Sequence, residues 1–248
     1  MTKLLILGGT AEARALLGAV SEWPDLHAVM SFAGRTRHPN IDQGVLRLGG
    51  FGGVDGLASY LRDESIDVLI DATHPFAARM SMQAEEASNR TGIPRLKLLR
   101  PPWAKHPKDR WIDVSNAEEA ARRLPGLARR VFLTTGHRDL EYFSNLNDIW
   151  FLIRTIEPIE QRLPNQACCI QARGPFSEKN EIALLNEYGI DALVTKASGG
   201  RLTYAKVAAA RALDLPVVMI QRPKPPPGPI VPTVDDALAW LRQDERAA

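Results

Sequence analysis

Gly8-Gly9-Thr10 follows the apolar run from Leu4 to Leu7 without a gap, a helical pattern begins behind it, and Gly8, Gly9, Thr10 and Glu12 in the first turn are candidate cofactor contacts. Glycines let a backbone pass close to a phosphate, and the unpaired amides of a helix start attract its negative charge. The full G-x-G-x-x-G spacing is absent, which leaves a plain strand–helix turn capped by Thr10 as the alternative. Placement on the first strand of an alternating α/β pattern favours a dinucleotide. After the second strand, where an NAD site offers a carboxylate to the ribose hydroxyls, the chain has Gly34, Arg35 and Thr36. A guanidinium grips a 2′-phosphate in a fork, so this loop reads as selecting NADP (NADPH); a solvated basic loop is the alternative. Behind the third strand, four glycines from Gly49 to Gly53 surround one aromatic ring. Gly50, Phe51 and Gly52 read as backbone close to a flat cofactor, against a flexible loop with Phe51 tucked into the core. Ala72-Thr73-His74-Pro75 ends the apolar strand Val68 to Ile70, at the strand edge where α/β ligands bind. Thr73 and His74 are read as cofactor contacts, with Pro75 opening the next helix. His74 is also a weak candidate proton donor, against a capped and hydrogen-bonded histidine.

The second half carries different side chains at its strand ends. Thr135, Gly136 and His137 stand where the diglycine turn would be, Arg173 and Gly174 follow a later strand, and Thr195, Lys196, Ser198 and Gly199 a third. Arg, Lys, hydroxyls and free glycine amides together make an anion-binding rim. If one half holds the cofactor, this rim suits a substrate rich in carboxylates. Lys196 is a second weak catalytic candidate, with a structural ion pair as its alternative; no residue is assigned as catalytic.

The elements that must position these groups repeat. The stretch from Ile66 is echoed from Ile190, 124 positions further on: an apolar strand, a small polar loop, an Ala-rich helix, a second apolar strand and a Pro-rich exit. Strand signals fall at Lys3 to Leu7, His27 to Phe32, Gly44 to Leu48, Val68 to Ile70 and Arg95 to Leu98. They recur at Val131 to Thr134, Ile149 to Ile153, Ala167 to Gln171, Leu193 to Val194 and Val217 to Ile220. Helical spacing lies between them, including a short piece at Asp139 to Ser144. The expectation is an α/β protein of two Rossmann-like parallel-sheet domains related by internal duplication. The domains are placed at 1–104, binding NADP, and 105–248, on the substrate side. Each Pro-rich exit, at Arg100 to Trp103 and Arg222 to Pro229, can continue neither strand nor helix, and each precedes one leftover strand–helix unit. Segments 111–125 and 229–243 are therefore expected to cross, with the terminal strands exchanged between the two sheets.

Composition sets the remaining bounds. The chain has 31 basic and 29 acidic residues, a formal charge of +2, which is no footprint for nucleic acid. No apolar run reaches the roughly 18 residues of a membrane helix, and no secretory signal opens the chain. The only cysteines, Cys168 and Cys169, are adjacent and lack metal-ligand spacing, so no metal is expected. A cytoplasmic protein follows, with neither nucleic acid nor membrane as partner, a monomer or weak homo-oligomer.

In order along the chain, GGTAEAR, FAGRT, GGFGG, DATHPFA, LRPPW, TTGH, RGPF and TKASGG resemble the precorrin-6A reductase family of cobalamin biosynthesis, over Leu4 to about Leu241. The resemblance implies a pyridine nucleotide reductant and reduction of one double bond of the precorrin-6A macrocycle to give precorrin-6B. It assigns Gly8, Gly9, Thr10, Gly34, Arg35, Thr36, Gly50, Phe51, Thr73 and His74 to the cofactor. It also implies a tetrapyrrole-derived substrate with many carboxylates, which suits the rim of the second half. The family has a branch acting on the metal-free macrocycle with NADPH and a branch acting on its cobalt complex. Two other readings are weaker. A short-chain dehydrogenase places Lys four residues after Tyr, but Tyr60, Tyr142, Tyr188 and Tyr204 are followed there by Glu64, Leu146, Ala192 and Ala208. A non-catalytic NADP-binding redox sensor has no use for the basic rim.

Overall fold

The computed structural model describes residues 1–32, 45–159 and 163–243. Its elements run β1 (Thr2–Leu7), α1 (Ala11–Val20), β2 (Leu26–Phe32), β3 (Val45–Leu48), α2 (Val54–Asp63), β4 (Val68–Asp71), α3 (Ala78–Thr91) and β5 (Arg95–Leu98). They continue with β6 (Arg110–Val114), α4 (Ala117–Arg123), β7 (Arg130–Leu133), a 3₁₀ helix (His137–Phe143), β8 (Trp150–Thr155) and β9 (Ala167–Gln171). Last come α5 (Glu178–Glu187), β10 (Ala192–Lys196), α6 (Ala205–Ala212), β11 (Pro216–Ile220), β12 (Ile230–Val231) and α7 (Val234–Gln243). The helix expected at Asp139 to Ser144 is thus a 3₁₀ helix beginning two residues earlier, behind Gly136 at φ 85°.

The described residues form two six-stranded sheets, with orders β12-β5-β4-β1-β2-β3 and β6-β11-β10-β7-β8-β9, and all of their strand pairs are parallel. The terminal strands are exchanged. Strand β6 follows the first Pro-rich exit and joins the second sheet, Trp111 opposite Val217. Strand β12 follows the second exit and joins the first sheet, Ile230 opposite Lys97. One compact unit therefore comprises Met1–Pro101 and the segment returning from Pro223, and the other Pro102–Arg222. The returning exit is latched by Arg95 of β5, whose Nη2 donates to the Pro227 carbonyl. Gly228 beside it has φ +117°, and a Cβ there would lie 2.9 Å from the Arg95 Nη2; only glycine serves both demands.

Side chains alternate across each strand and fill both sides of the sheet. In the first unit Leu4 and Ile6 of β1 pack with Leu16 and Leu17 of α1 and Ala237 and Leu241 of α7. Leu5 and Leu7 face the other way, onto Leu57 and Leu61 of α2 and Ala84 and Ala87 of α3. In the second unit Phe132, Leu152, Leu193 and Met219 pack with Leu185 of α5 and Val207 and Ala210 of α6. Among the described residues no helix is long and apolar enough to cross a membrane.

Candidate functional site

In the first sheet the strand order reverses between β1 and β4: from β1 the chain proceeds outward to β2 and β3, and from β4 outward to β5. The loops leaving β1 and β4 therefore diverge at their C-terminal ends, the place where open α/β sheets take ligands. Gly8, Gly9 and Thr10 leave β1 there, and Ala72, Thr73 and His74 leave β4. Thr10 joins the two. Its Oγ1 accepts from the Ala13 amide (3.1 Å), capping α1, and donates to the Ala72 carbonyl (2.9 Å). Gly9 has φ +120°, a value that favours glycine, and the space its Cβ would enter is open. Gly8 instead lies close to Met30, whose Cγ and Sδ would be 3.0 Å from an added Cβ. Glu12, in the first turn of α1, pairs with Arg100 (2.8 Å).

Beneath the β4 loop lies a buried ion pair that sequence reasoning missed. Asp71 ends β4, Lys97 stands opposite it in β5, and their side chains, 0% and 3% exposed, meet at 2.8 Å. Lys97 Nζ also reaches Ser81 Oγ (2.8 Å), and the Thr73 hydroxyl and amide donate to the Asp71 carboxylate (2.6 and 3.1 Å). Burial pushes the Asp71 carboxyl up, but the Lys97 charge and the hydrogen bonds from Lys97, Thr73 and Ser81 outweigh it and hold it below its ordinary value. The signal was in the sequence: a lysine inside the apolar run from Leu96 to Leu99 of a central parallel strand must find a buried partner. His74 Nδ1 accepts from the Phe76 amide (3.2 Å), which leaves Nε2 as the nitrogen carrying the proton. Pro75 does not open the helix: it lies in the turn ahead of α3, which starts at Ala78, because the loop first closes on itself with the Ala77 amide bonded to the His74 carbonyl (2.7 Å).

The loop from Gly49 to Gly53 leaves β3 with Gly49, Gly52 and Gly53 at φ +106°, +81° and +96°. Gly50 borders open space without a positive φ, so nothing inside the described fold demands glycine there. Phe51 does pack on the core, edge-on to Tyr60 of α2 (5.2 Å between centroids). Gly34, Arg35 and Thr36 lie outside the described residues.

In the second sheet the order reverses between β7 and β10. Thr135, Gly136 and His137 leave β7, and Thr195 and Lys196 end β10, with Ser198 and Gly199 in the loop behind. Lys196 Nζ donates to the Thr135 carbonyl (2.7 Å) and pairs with Asp139 of the 3₁₀ helix (2.7 Å), a partner the sequence alone did not single out. The Thr135 hydroxyl is buried and has no hydrogen-bond partner among the described residues. Both Pro-rich exits contribute to this unit: Arg222 Nε donates to the Ala197 carbonyl (2.7 Å), and Trp103 Nε1 to the Gly200 carbonyl (2.7 Å).

Arg173 is exposed in the loop behind β9. Gly174 beside it passes so close to Leu202 that a Cβ would fall 2.6 Å from its carbonyl oxygen, and a cis peptide joins it to Pro175. Phe176 closes the loop over Arg154 of β8, whose guanidinium carbon sits 3.8 Å from the ring centroid. Arg154 in turn grips Glu181 of α5 with two bonds (2.6 and 2.8 Å), both side chains buried. Lys206 of α6 is buried nearby and donates to the Thr203 carbonyl (2.8 Å). Burial, aided by the Arg154 charge and opposed by the Glu181 charge, lowers its amine to about 7. Among the described residues no group of three or more His, Cys, Asp or Glu could hold a metal.

Comparison with known proteins adds what geometry alone cannot. A family model described as precorrin-6x reductase CbiJ/CobK matches residues 3–242. A precorrin-6A reductase of Rhodococcus erythropolis is 48% identical over 244 residues, covering 97% of this chain and 98% of that protein. A cobalt-precorrin-6A reductase of Priestia megaterium is 29% identical over 261 residues, covering 98% and 100%. The solved structure of CobK precorrin-6A reductase superposes with a TM-score of 0.92 at 41% identity, covering 98% of this chain and 97% of that one.

Proposed function

Since the chain belongs to the precorrin-6x reductase family, we propose that it reduces one double bond of precorrin-6A to give precorrin-6B, with NADPH as hydride donor. The single observation that carries this reading is the match of residues 3–242 to that family. The strand-end geometry of the first unit supports the cofactor. Gly9 borders open space just ahead of α1, whose N-terminus Thr10 caps, and Gly50 and Gly52 border open space behind β3. These residues fit a pyridine nucleotide, with the pyrophosphate at Gly8, Gly9 and Thr10 and the remainder along Gly50, Phe51, Gly52, Ala72, Thr73, His74 and Pro75. Arg35, with Gly34 and Thr36, is proposed for the 2′-phosphate.

When bound, the nicotinamide supplies a hydride. The chain must hold the macrocycle and admit one proton to balance the reduction. Thr135, Gly136, His137, Arg173, Gly174, Thr195, Lys196, Ser198 and Gly199 are proposed to bind the carboxylate arms. Lys196, fixed between Asp139 and the Thr135 carbonyl, is a positioned cation for one such arm. His74, whose Nδ1 accepts from the Phe76 amide, carries its proton on Nε2 at the end of β4. The metal-free macrocycle is favoured over its cobalt complex because identity to the precorrin-6A reductase above is 48%, against 29% to the cobalt-precorrin-6A reductase. We place the enzyme in the cytoplasm, where Cys168 and Cys169 stay as the free thiols they are here.

The test is anaerobic mixing with NADPH and precorrin-6A, following nucleotide absorbance and product mass. Loss of one NADPH per macrocycle with a gain of two hydrogens is expected. Nucleotide binding without hydride transfer to either the metal-free or the cobalt macrocycle would overturn the reductase and favour a redox sensor.

A further inference from the structure

The loop from Gly49 to Gly53 ought to be the least ordered part of the first unit. Four glycines in five residues have more backbone freedom to lose than any other composition. Yet it is held at three points. Arg47, on β3, turns its guanidinium back over the loop: Nη1 donates to the Gly49 carbonyl (2.7 Å) and Nη2 to the Gly50 carbonyl (3.1 Å). The same guanidinium covers the Phe51 ring at 3.8 Å from its centroid and lies 4.9 Å from that of Tyr60. From the other side, the Phe51 carbonyl comes so close to Gly56 of α2 that an added Cβ would fall 1.6 Å from its oxygen. Three of the loop's glycines hold positive φ, so the bonds to carbonyls fix a backbone that a freed loop would leave.

Fixing a backbone residue costs about 1–2 kcal/mol, and a ligand that meets a mobile loop must supply that free energy on binding. A guanidinium that orders the loop beforehand removes the cost. The remaining amides of Gly50, Phe51 and Gly52 then stay available in one arrangement. We propose that Arg47 is a positioning residue: it staples the Gly49–Gly53 loop in its nucleotide-binding form without touching the nucleotide. This rests on the reading of the first unit as the NADPH site.

The experiment titrates NADPH and NADH into the full chain and into Arg47→Met, Arg47→Lys and Gly56→Ala, with kcat measured at saturating NADPH. Arg47→Met is expected to weaken both nucleotides by the same factor, about tenfold, or about 1.4 kcal/mol, with kcat and the KM for precorrin-6A unchanged. Arg47→Lys does not restore affinity, because an ammonium cannot bond both carbonyls while covering the ring. Gly56→Ala should weaken both nucleotides too, although alanine suits the helix better by about 1 kcal/mol; should it not fold, Arg47→Met decides alone. Unchanged affinity in Arg47→Met overturns the proposal. So does loss of NADPH affinity with NADH unaffected, which would make Arg47 a direct contact to the 2′-phosphate. Failure of the wild-type chain to bind either nucleotide removes the reading on which the staple rests, and is told apart from both.

Discussion

At the turn behind its first strand, one unit has Gly8-Gly9-Thr10 and the other Thr135-Gly136-His137. The central glycine is kept, at φ +120° and +85°. What flanks it is not. Thr10 caps a ten-residue α-helix, whereas His137 opens a 3₁₀ helix with no side-chain cap. The pattern extends through both units. Asp71 and Lys97 form a buried ion pair under the β4 loop, where the repeat has Thr195 and Met219, neither charged. The second unit instead buries Arg154, Glu181 and Lys206; the places matching Arg154 and Lys206 hold Ser31 and Ala84. Both units stack a guanidinium on a loop phenylalanine at 3.8 Å, but Arg47 reaches its loop from the third strand and Arg154 from the second. The two units share sheet topology and the positive-φ glycine of the first turn, and they bury their charged side chains at different positions.

The comparison can be broken most forcefully at Asp71 and Lys97. Either Asp71→Thr or Lys97→Met alone strands a buried charge and should cost about 3–5 kcal/mol in urea unfolding. The double substitution installs the uncharged pair of the second unit and should recover most of that loss. NADPH binding should stay weak in it, because Thr73 has lost its acceptor. A double variant as unstable as the weaker single would mean that the two units are not interchangeable here. The wild-type contribution should fade as pH falls below about 4: the folded carboxyl is held low, so the unfolded chain takes up the proton first.

Lys206 sharpens the contrast from the other side. Its amine titrates at about 7 in the fold and at about 10.4 when unfolded. Between those values the unfolded chain binds the proton that the native chain lacks, so this group adds stability as pH rises. Wild type should gain up to about 2 kcal/mol relative to Lys206→Met between about pH 7 and pH 9. An unfolding midpoint whose pH dependence is the same in both proteins would remove the effect. The smallest difference is expected at the first turn. Thr10→Ala should cost about 1 kcal/mol through the lost cap, whereas Thr135→Val, which replaces an unpaired buried hydroxyl, should be neutral or stabilising by about 1 kcal/mol or less. Equal losses at both sites, read by thermal unfolding, would contradict the assignment of Thr10 as the bridge between β1 and β4.

The strands and their exchange were legible because buried parallel strands read as apolar runs and Pro101-Pro102 and Pro225 to Pro227 cannot extend one. Thr10 was legible as a cap for the same local reason. The pairs Asp71–Lys97, Arg154–Glu181 and Lys196–Asp139 were not: each joins residues 26 or more positions apart, and only the tertiary fold decides which strands and helices become neighbours. Arg47 was hidden differently. Its guanidinium serves two backbone carbonyls and the faces of Phe51 and Tyr60, and none of these is an acidic partner that would mark it in the sequence.

The exchange of β12 and α7 has a consequence for how the molecule is made. When the ribosome has produced Pro101, the first unit still lacks an edge strand and a helix that closes one face of its core. These arrive only with Ile230 to Leu241, after the whole second unit has been synthesised. At about 5–20 residues per second that wait is on the order of ten seconds. For that interval α1 and β5 lack α7, the helix that packs against both. The half translated first is therefore the half completed last, and a stop codon ahead of Ile230 leaves the earlier unit, rather than the later one, unfinished.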